Sequence, residues 1–565
     1  MDKRTALILI LFSILGVCPA SAQAPASTKA GAIQQQMEEA LQLQENKAKL
    51  VKPKIKIEVE DKRPKEAVVE EKREGEALIK KFVLNGVTIF KPEDFLAILA
   101  PYKDKYLGIK EFNEIANGIQ KFYRAKGYIT TYVYIPVQKI TDNVIEIRVI
   151  EGCLGTIEVE GGKYYSKEYV RQKFHIREGD TVLYKDLMKS MRRLNTNPDR
   201  TVKAVLVTGE RKDTTDILLK VTDEFPQHAF IEYNNRGTKY TGKQRFGAGY
   251  INNNLLGVDD IFTVRFQKSN EKLNGGSFDY NLPVNYLGTR VGTYYSYVST
   301  DLVGGYEVLD AHGWAWVGGV YTNHPFIDDD HLRASGGFGL DIKHSKNFLL
   351  GTTTSNDNVS VAKLNFSLDG DDRWGATYFT PEIDFGIPDF AGSLGRKDIK
   401  ASRLGSGGEF IKYAVNAGRR INLPFSSFLL LNARAQYTAD KLVAGEQFYI
   451  GGGDTVRGYP ELEYMGDYGF NTNVELRTPV YLLPLKCKLR DKIQLVYFWD
   501  YGKGFLRNPL VGEKGHDALW SAGWGIRFQP WKNFYLKVDW GFPLGPRPSD
   551  NSKSTVHLWA HIDLI

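Results

Sequence analysis

Strict alternation of apolar and polar side chains, over segments of about ten residues, dominates this chain from about residue 227 to Ile565. In the segment 534–540 the even-numbered residues are apolar, and the odd-numbered ones are Tyr535, Lys537 and Asp539. A period of two is the pattern of a β-strand with one apolar and one polar face. About sixteen such segments follow one another without an intervening helical pattern, so the region is predicted to be all β.

Two architectures fit this alternation. In a soluble sandwich the apolar face fills a dry core, whereas in a membrane barrel it faces lipid and the polar face lines a wet lumen. The barrel is favoured because the segments have the length of tilted spanning strands, an export signal precedes them, and no helices lie between them to cover an open sheet. An even strand number and alternately short and long connections predict that the short turns and the C-terminus are periplasmic.

The N-terminus has the three parts of a secretory signal. A charged start is followed by an apolar run from Ala6 to Val17 and by the small residues Ala20 to Ala22, which predicts a signal peptide over residues 1–22. Its removal leaves two cysteines, Cys153 and Cys487. A disulfide and two separate thiols both remain open for them, and no metal-binding spacing exists.

A polar helical segment follows within residues 23–50, in which Ile33, Met37 and Leu41 recur at a four-residue spacing. One thin apolar stripe cannot bury itself alone, so we interpret it as a mobile helix on a tether, with a disordered N-terminus as the alternative. Residues 51–78 alternate Lys and Glu around two prolines and are predicted to be a solvated linker.

From residue 79 to residue 226 the chain repeats itself with a period of about 74 residues. The segment 82–86 matches 157–161, and the segment 144–149 matches 216–221. In the first copy, apolar residues from Ile109 to Tyr123 keep helical spacing, and Gly127 stands where a left-handed cap is needed. Two α+β domains are therefore predicted, over 79–152 and 153–226, with sheet edges that suit an extended strand from another protein.

One glycine-rich segment, Gly451 to Tyr459, carries a single arginine, Arg457. Side chains alternate between the two faces of a strand, and we call this alternation face parity. On the later strands it places Phe498, Asp500 and Glu475 on the face toward the lumen. If the loop enters the barrel, Arg457 meets carboxylates, and losing one partner of such a buried pair costs about 3–5 kcal/mol. In an ordinary extracellular loop the same pair is worth about 0–1 kcal/mol. The residue chemistry alone leaves both positions of the loop open.

Val456-Arg457-Gly458-Tyr459, followed by Phe498-x-Asp500-x-Gly502, resembles the signature of outer-membrane barrels that carry POTRA domains. Within that superfamily the chain resembles the two-partner secretion transporters, which export haemolysins and filamentous adhesins. Residues 123–128 are similar to the end of the second POTRA helix, residues 194–198 to the second POTRA domain, and residues 235–257 to the first barrel hairpin. The likeness covers nearly all of the mature chain.

The resemblance implies the following fold and site. A membrane all-β domain, a 16-stranded transmembrane β-barrel over 227–565, follows two periplasmic α+β POTRA domains and an N-terminal helix. Arg457 lies at the tip of the sixth extracellular loop, folded into the lumen and paired with Asp500. Phe498, Gly458 and Tyr459 shape its dock, and the helix around Met37 plugs the pore.

The implied function is secretion of a large partner exoprotein, unfolded in transit, from the periplasm across the bacterial outer membrane, with the POTRA domains capturing it. The implied partners also include outer-membrane lipid and the barrel-assembly machinery during biogenesis. Members of the family usually end in an aromatic residue that the assembly machinery recognises, whereas this chain ends in Ile565.

Other classes of function have little support. The formal charge of +7 is mild and no basic stripe with interleaved aromatics exists, so no nucleic-acid partner is predicted. No serine lies in a nucleophile-elbow motif and no histidines are paired at metal-binding spacing, so we predict no enzyme, no cofactor and no metal site. A barrel-assembly factor that inserts other proteins into the membrane shares the loop motif and remains the alternative. A passive porin is the third option, and it is less favoured because a porin does not need POTRA-like repeats.

Overall fold

The computed structural model of the chain describes residues 28–51, 57–62, 76–211, 213–480 and 492–565. The signal peptide predicted for residues 1–22 and Cys487 lie outside the described residues. The chain divides into two compact units. One joins the N-terminal helix to residues 227–255 and 260–565, and the other comprises residues 54–226 together with 256–259.

The N-terminal helix α1 extends from Ala30 to Val51. Its sequence is rich in Ala, Gln, Glu, Lys and Leu, which have high helix propensity. Seven consecutive residues, from Ala30 to Gln36, are buried, so the burial follows the whole circumference of the first turns rather than one stripe. This pattern indicates a helix that is enclosed by protein at its N-terminal end.

The first α+β repeat follows the three-residue strand β1 (Val59–Asp61), which pairs elsewhere. Its elements are β2 (Ala77–Ile79), β3 (Lys81–Asn85), α2 (Leu96–Leu99), β4 (Lys105–Leu107), α3 (Ile109–Ala125), β5 (Tyr132–Tyr134) and β6 (Val144–Ile150). β3, β6 and β5 form a three-stranded sheet, and β2 pairs with β4. The amphipathic spacing predicted for 109–123 is confirmed, because Ile115, Ile119 and Tyr123 of α3 share one buried cluster with Ile145 and Ile147 of β6.

The second α+β repeat contains β7 (Cys153–Gly161), α4 (Lys167–Lys173), α5 (Tyr184–Leu194), β8 (Arg200–Thr208) and β9 (Thr214–Asp223). Its sheet has the strand order β1-β8-β9-β7. Val170 of α4 and Leu187 of α5 lie in the same buried cluster as Leu219 of β9, so both helices pack on this sheet. The strand β1 was not predicted, because its alternating charges were interpreted as a solvated linker.

Two glycines at equivalent positions demonstrate the internal repeat. β3 pairs in parallel with β6, and β7 pairs in parallel with β9. Gly86 follows β3 with φ +89°, and Gly161 ends β7 with φ +82°. A Cβ atom would lie 2.2 Å from the carbonyl oxygen of Val149 at the first site and 2.3 Å from that of Val221 at the second. Only glycine fits either position, because both the backbone conformation and the space exclude a side chain.

Sixteen strands of the described residues form one closed antiparallel barrel. They are β10 (Gln227–Asn234), β11 (Arg245–Asn252), β12 (Ile261–Ser269), β13 (Leu273–Pro283), β14 (Arg290–Asp301), β15 (His312–Asp328), β16 (Leu332–Leu349), β17 (Thr352–Asp372), β18 (Gly375–Ile387), β19 (Phe410–Asn422), β20 (Phe428–Thr438), then, after the short hairpin strands β21 (Phe448–Ile450) and β22 (Tyr464–Gly466), β23 (Tyr468–Pro479), β24 (Ile493–Phe505), β25 (His516–Trp531), β26 (Phe534–Pro543) and β27 (Thr555–Asp563). Antiparallel pairing of β10 with β27 closes the cylinder. The predicted strand number is confirmed.

Side chains alternate between the two sides of the barrel wall. On β24, Tyr497 and Trp499 are 51% and 45% exposed, whereas Phe498 and Asp500 are buried. The exposed side is the outer wall and the buried side faces the lumen, in agreement with the face parity predicted from the sequence. Across the described residues, no helix has both the length and the apolar character needed to cross a membrane.

Candidate functional site

The long loop between β20 and β23, residues 439–467, folds into the barrel lumen. We call this segment the lumen loop. Val456 and Tyr459 near its tip are fully buried, and Arg457 is only 2% exposed. A loop tip with these exposures is packed against protein, because connecting loops at a protein surface are normally solvated.

Arg457 binds Asp500 of β24 in a bidentate geometry. Its Nε and Nη2 donate to Oδ2 and Oδ1 of Asp500 at 2.8 and 2.7 Å, and its backbone N–H donates to Oδ2 at 3.0 Å. The side-chain amide of Asn473 donates a further hydrogen bond to Oδ1 at 2.8 Å. Two parallel charge-assisted bonds define both the distance and the orientation of the guanidinium group.

Two more carboxylates and one aromatic ring complete the surroundings of Arg457. Its Nη1 donates to Glu475 of β23 at 2.7 Å and lies 3.5 Å from Asp539 of β26. The ring of Phe498 lies against the guanidinium, with its centroid 3.6 Å from Cζ, which is a close cation–π contact. These carboxylates are also shared with other wall cations, namely Arg477, Arg527 and Lys537.

The network is costly to break because its four central charges are buried. Arg457, Glu475, Asp500 and Asp539 are each at most 2% exposed. Removing one partner leaves its counterpart uncompensated in a desolvated site, at a cost of about 3–5 kcal/mol. The loop tip is therefore held in one discrete position on the barrel wall.

Glycines provide the space in which the tip approaches the wall. Gly458 has φ +104°, a backbone conformation that favours glycine. A Cβ atom on Gly502 would lie 2.9 Å from Cγ2 of Val456, and one on Gly541 would lie 2.6 Å from the backbone N of Gly458. The predicted site residues Gly458 and Gly502 thus both lie at the contact, Gly502 against Val456 and Gly458 against Gly541, a third glycine that the sequence did not single out.

An apolar cluster supports the polar contact. Val456 and Tyr459 share it with Phe448 and Ile450 of β21 and with Leu519 of β25. All five side chains are at most 2% exposed. The hairpin β21–β22 therefore supports the tip from within the loop, while β25 supports it from the wall.

Two polar anchors of the lumen loop were missed. Arg236, in the first loop of the barrel, binds Asp454 at 2.5 Å. Glu461 accepts hydrogen bonds from the backbone N–H of Gly453 at 2.9 Å and from the side chain of Gln36 in α1 at 2.7 Å. The segment Asn235-Arg236-Gly237 was the available signal, but nothing in one sequence indicates that Arg236 reaches across the lumen to Asp454.

The helix α1 occupies the lumen beside the loop. Glu39 forms an ion pair with Arg434 of β20, and Gln34 donates to the backbone oxygen of Ser296 at 3.0 Å. Of the predicted apolar stripe, Ile33 is fully buried in a cluster with wall and loop residues, and Met37 packs against that cluster. Leu41, the third member, is only partly buried. Polar contacts thus provide much of the attachment of α1.

Comparison with known families decides what kind of protein carries this site. A sequence profile described as "Haemolysin secretion/activation protein ShlB/FhaC/HecB" matches residues 213–528, which is more than half of the chain. This chain belongs to the haemolysin secretion/activation protein family. A profile described as "POTRA domain, ShlB-type" matches residues 77–152 of the transporter.

Individual relatives agree with this assignment. The transporter is 23% identical over 463 residues to the heme/hemopexin transporter protein HuxB of Haemophilus influenzae, with 80% of each chain covered. It is 23% identical over 463 residues to the outer membrane transporter CdiB of Escherichia coli, covering 79% of this chain and 76% of that one. The solved structure of CdiB from Escherichia coli has the same fold, with a TM-score of 0.70 at 19% identity over 96% of this chain and 99% of that chain.

The family assignment gives the location and the general function. The chain is a two-partner secretion transporter of the bacterial outer membrane, and its POTRA domains are periplasmic. The barrel also resembles that of BamA from Haemophilus ducreyi, with a TM-score of 0.53 at 14% identity, and this likeness concerns the fold alone. The family match favours the secretion transporter over the alternative of a barrel-assembly factor.

Proposed function

We propose that the transporter conducts its partner exoprotein, unfolded, through the barrel lumen past a lumen loop that Arg457 latches to the wall. The observation that carries this proposal is the buried network around Arg457, in which Asp500, Glu475 and Asp539 converge on one guanidinium. A passive pore does not need a loop tip fixed with such specificity. A latch with one closed position gives the lumen two states, with the loop docked or released.

The helix α1 is proposed to be a removable plug. It lies in the lumen through a small apolar contact at Ile33 and several polar contacts, of which the pair Glu39–Arg434 is the most direct. Polar contacts in a wet lumen exchange readily with water, so they hold a helix in place without making its departure prohibitive. We assign the same role to the predicted stripe of Ile33, Met37 and Leu41.

The periplasmic repeats are proposed to capture the partner by strand addition. Main-chain pairing along a sheet edge gives affinity with little demand on sequence, which suits an unfolded chain of any composition. The proposed division of the chain is a signal peptide (1–22), a plug helix (23–50), a linker (51–78), POTRA domains (79–152 and 153–226) and the barrel (227–565).

The outer wall of the barrel is proposed to contact lipid. Its exposed side chains include many large apolar and aromatic residues, such as Phe266, Phe338, Tyr497, Trp499 and Trp524. Exposed apolar side chains of this size on one face of the strands are typical of membrane barrels. Barrel-assembly machinery would insert the strands, with Ile565 in the place of the usual terminal aromatic.

We further infer that the chain acts by transport rather than catalysis, and without nucleic acid, cofactor or metal. The buried charges of the lumen site neutralise one another, so none of them is poised as a nucleophile or as a proton donor. Progressive folding of the exoprotein outside the cell is a sufficient source of direction.

Secretion from intact cells tests the proposal. Cells that produce the transporter together with its partner exoprotein should release that exoprotein into the medium. Cells that lack the transporter should retain it in the periplasm. Equal release from both strains would contradict the proposal.

A further inference from the structure

The linker strand β1 occupies an edge of the second POTRA domain. Val59, Glu60 and Asp61 pair in parallel with Ala204, Val205 and Leu206 of β8. The backbone N–H of Ala204 donates to the oxygen of Glu58 at 3.2 Å, and that of Lys62 donates to the oxygen of Leu206 at 3.0 Å. In the sheet order β1-β8-β9-β7, removal of β1 would expose β8 as an edge strand.

The side chains of this segment alternate in the manner of a true sheet strand. Ile57 and Val59 pack against the buried core of the domain. Glu58, between them, pairs with Lys203 of β8 at 2.5 Å on the solvent side, where both side chains are about half exposed. The occupant of the edge thus has apolar residues on one face and an acidic residue opposite Lys203.

The remainder of the same edge is closed by a side chain. The amide group of Asn195 accepts a hydrogen bond from the backbone N–H of Val202 at 2.7 Å and donates one to its backbone oxygen at 3.0 Å. The amide group therefore satisfies the backbone N–H and the backbone oxygen of Val202 in the way that a neighbouring strand would. An incoming strand can add only from Ala204 onward, which is the segment that β1 covers.

We propose that β1 is a resident competitor of the exoprotein: it occupies the capture edge of β8 until an extended segment of the partner, with alternating apolar residues and an acidic residue opposite Lys203, displaces it. This inference rests on the proposed function. β8 extends to Thr208, beyond the three residues paired with β1, so a longer partner strand forms more main-chain hydrogen bonds than β1 does.

Displacement of β1 would also lengthen the tether of the plug. Residues 52–58 join α1 to β1, and they reach at most about 25 Å when fully extended. Once β1 is released, residues 59–76 join the tether, which then extends to Ala77 at the start of β2 and lets α1 move further from its place in the lumen. Capture of the partner and departure of the plug are thereby coupled.

A reversible lock on β1 tests the coupling in the full-length transporter. The variant Glu58→Cys with Lys203→Cys, in a background with Cys153→Ser and Cys487→Ser, joins β1 to β8 when oxidised. We expect the reduced protein to export the exoprotein and the oxidised protein to lose export and to open less often in planar bilayers. Wild-type export from the oxidised protein would overturn the inference. Loss of export from the reduced protein and the wild type alike would instead contradict the proposed function.

A binding measurement tests the competition directly. The probe is a labelled peptide with the sequence of residues 55–63, IKIEVEDKR, added to purified full-length transporter. Glu60→Pro removes a backbone donor in the middle of β1 and should free the edge. If β1 is docked in about nine molecules in ten, the peptide should bind Glu60→Pro about tenfold more tightly than the wild type.

Matched controls distinguish edge binding from general effects of proline. Lys65→Pro, beyond the end of β1, should bind the peptide like the wild type. A peptide carrying Ile57→Asn and Val59→Asn should bind none of the proteins, because the core-facing side chains are lost. The same affinity of the unchanged peptide for the wild type, Glu60→Pro and the oxidised lock would overturn the inference.

Discussion

The guanidinium of Arg457 and the carboxylate of Asp500 meet inside the barrel through two parallel hydrogen bonds of 2.8 and 2.7 Å. One residue belongs to a loop tip and the other to the strand β24 of the wall. Because both are buried, their contact fixes the lumen loop more firmly than any solvent-exposed pair would.

Replacing Arg457 by alanine should reduce export of the exoprotein by at least about tenfold, because three carboxylates lose their shared cation. The barrel should remain folded, since its strand pairing does not involve this side chain. Export is measured as the ratio of exoprotein in the medium to that in the periplasm, and folding by heat-modifiable migration of the barrel in gels.

An exposed ion pair on the same barrel provides the control for that variant. Arg419 binds Asp372 at 2.9 Å, but the two side chains are 27% and 53% exposed. Arg419→Ala should leave export unchanged, because such a pair contributes about 0–1 kcal/mol. Equal loss of export in the two variants would indicate a general sensitivity of the barrel to lost charge.

Gly502→Val should displace the loop tip by steric contact alone. The first added carbon would already lie 2.9 Å from Val456 and 3.0 Å from Ile450. We expect more frequent channel openings in planar bilayers and reduced export, with partial recovery when Val456→Ala is added to restore space. Gly395, where an added Cβ meets nothing within 4 Å, provides the control as Gly395→Ala. Unchanged gating of Gly502→Val would contradict a tight contact at this position.

Deletion of residues 31–50 should increase the single-channel conductance of purified transporter, because this segment is the body of α1 in the lumen. Glu39→Gln should increase the frequency of opening, since it weakens the pair with Arg434. Lys49→Ala removes an exposed pair with Asp369 at the other end of the helix and should have little effect. Conductance that is unchanged by the deletion would exclude α1 as the plug.

Acid should loosen the first POTRA domain at Glu151. Burial alone would raise the pKa of Glu151, but hydrogen bonds from Thr88, Ile89 and Tyr123 outweigh it and lower that pKa overall. A lowered pKa in the folded state stabilises the domain above the pKa of the unfolded chain, and this stability is lost as the pH falls through the folded value. Amide hydrogen exchange around Thr88, expressed relative to a Glu151→Gln variant at each pH, should accelerate below about pH 4. A constant ratio from pH 7 to pH 3 would contradict this role.

The wall of the barrel was predictable because its signal is local. A period of two assigns every strand residue to one face of the wall. The side chains of Asp500 and Glu475 could therefore be assigned to the lumen face without knowledge of their neighbours. The glycine-rich loop with one arginine then indicated a partner for them. The identity of Asp539 as the third carboxylate was not predictable, because it depends on which inward residues of β26 and β24 lie at the same height.

Other parts of the site depend on long-range contacts between polar side chains, which leave no periodic pattern. Gln36 and Glu39 bind loop and wall residues, although a stripe of apolar residues was the only signal that α1 offered. The strand β1 is three residues long, and its alternating charges resemble those of a solvated linker. Its pairing depends on the exposed edge of β8, which lies about 140 residues further along the chain.

A disulfide between the loop tip and the wall tests the central claim most directly. A Cβ atom on Gly502 would lie 2.9 Å from Cγ2 of Val456, close to the about 3 Å between a Cβ and the far sulfur of a disulfide. In a background with Cys153→Ser and Cys487→Ser, Val456→Cys with Gly502→Cys should cross-link in native outer membranes when oxidised, as seen by a reducible shift in gel migration. A folded barrel that forms no such cross-link would contradict a lumen loop docked on β24.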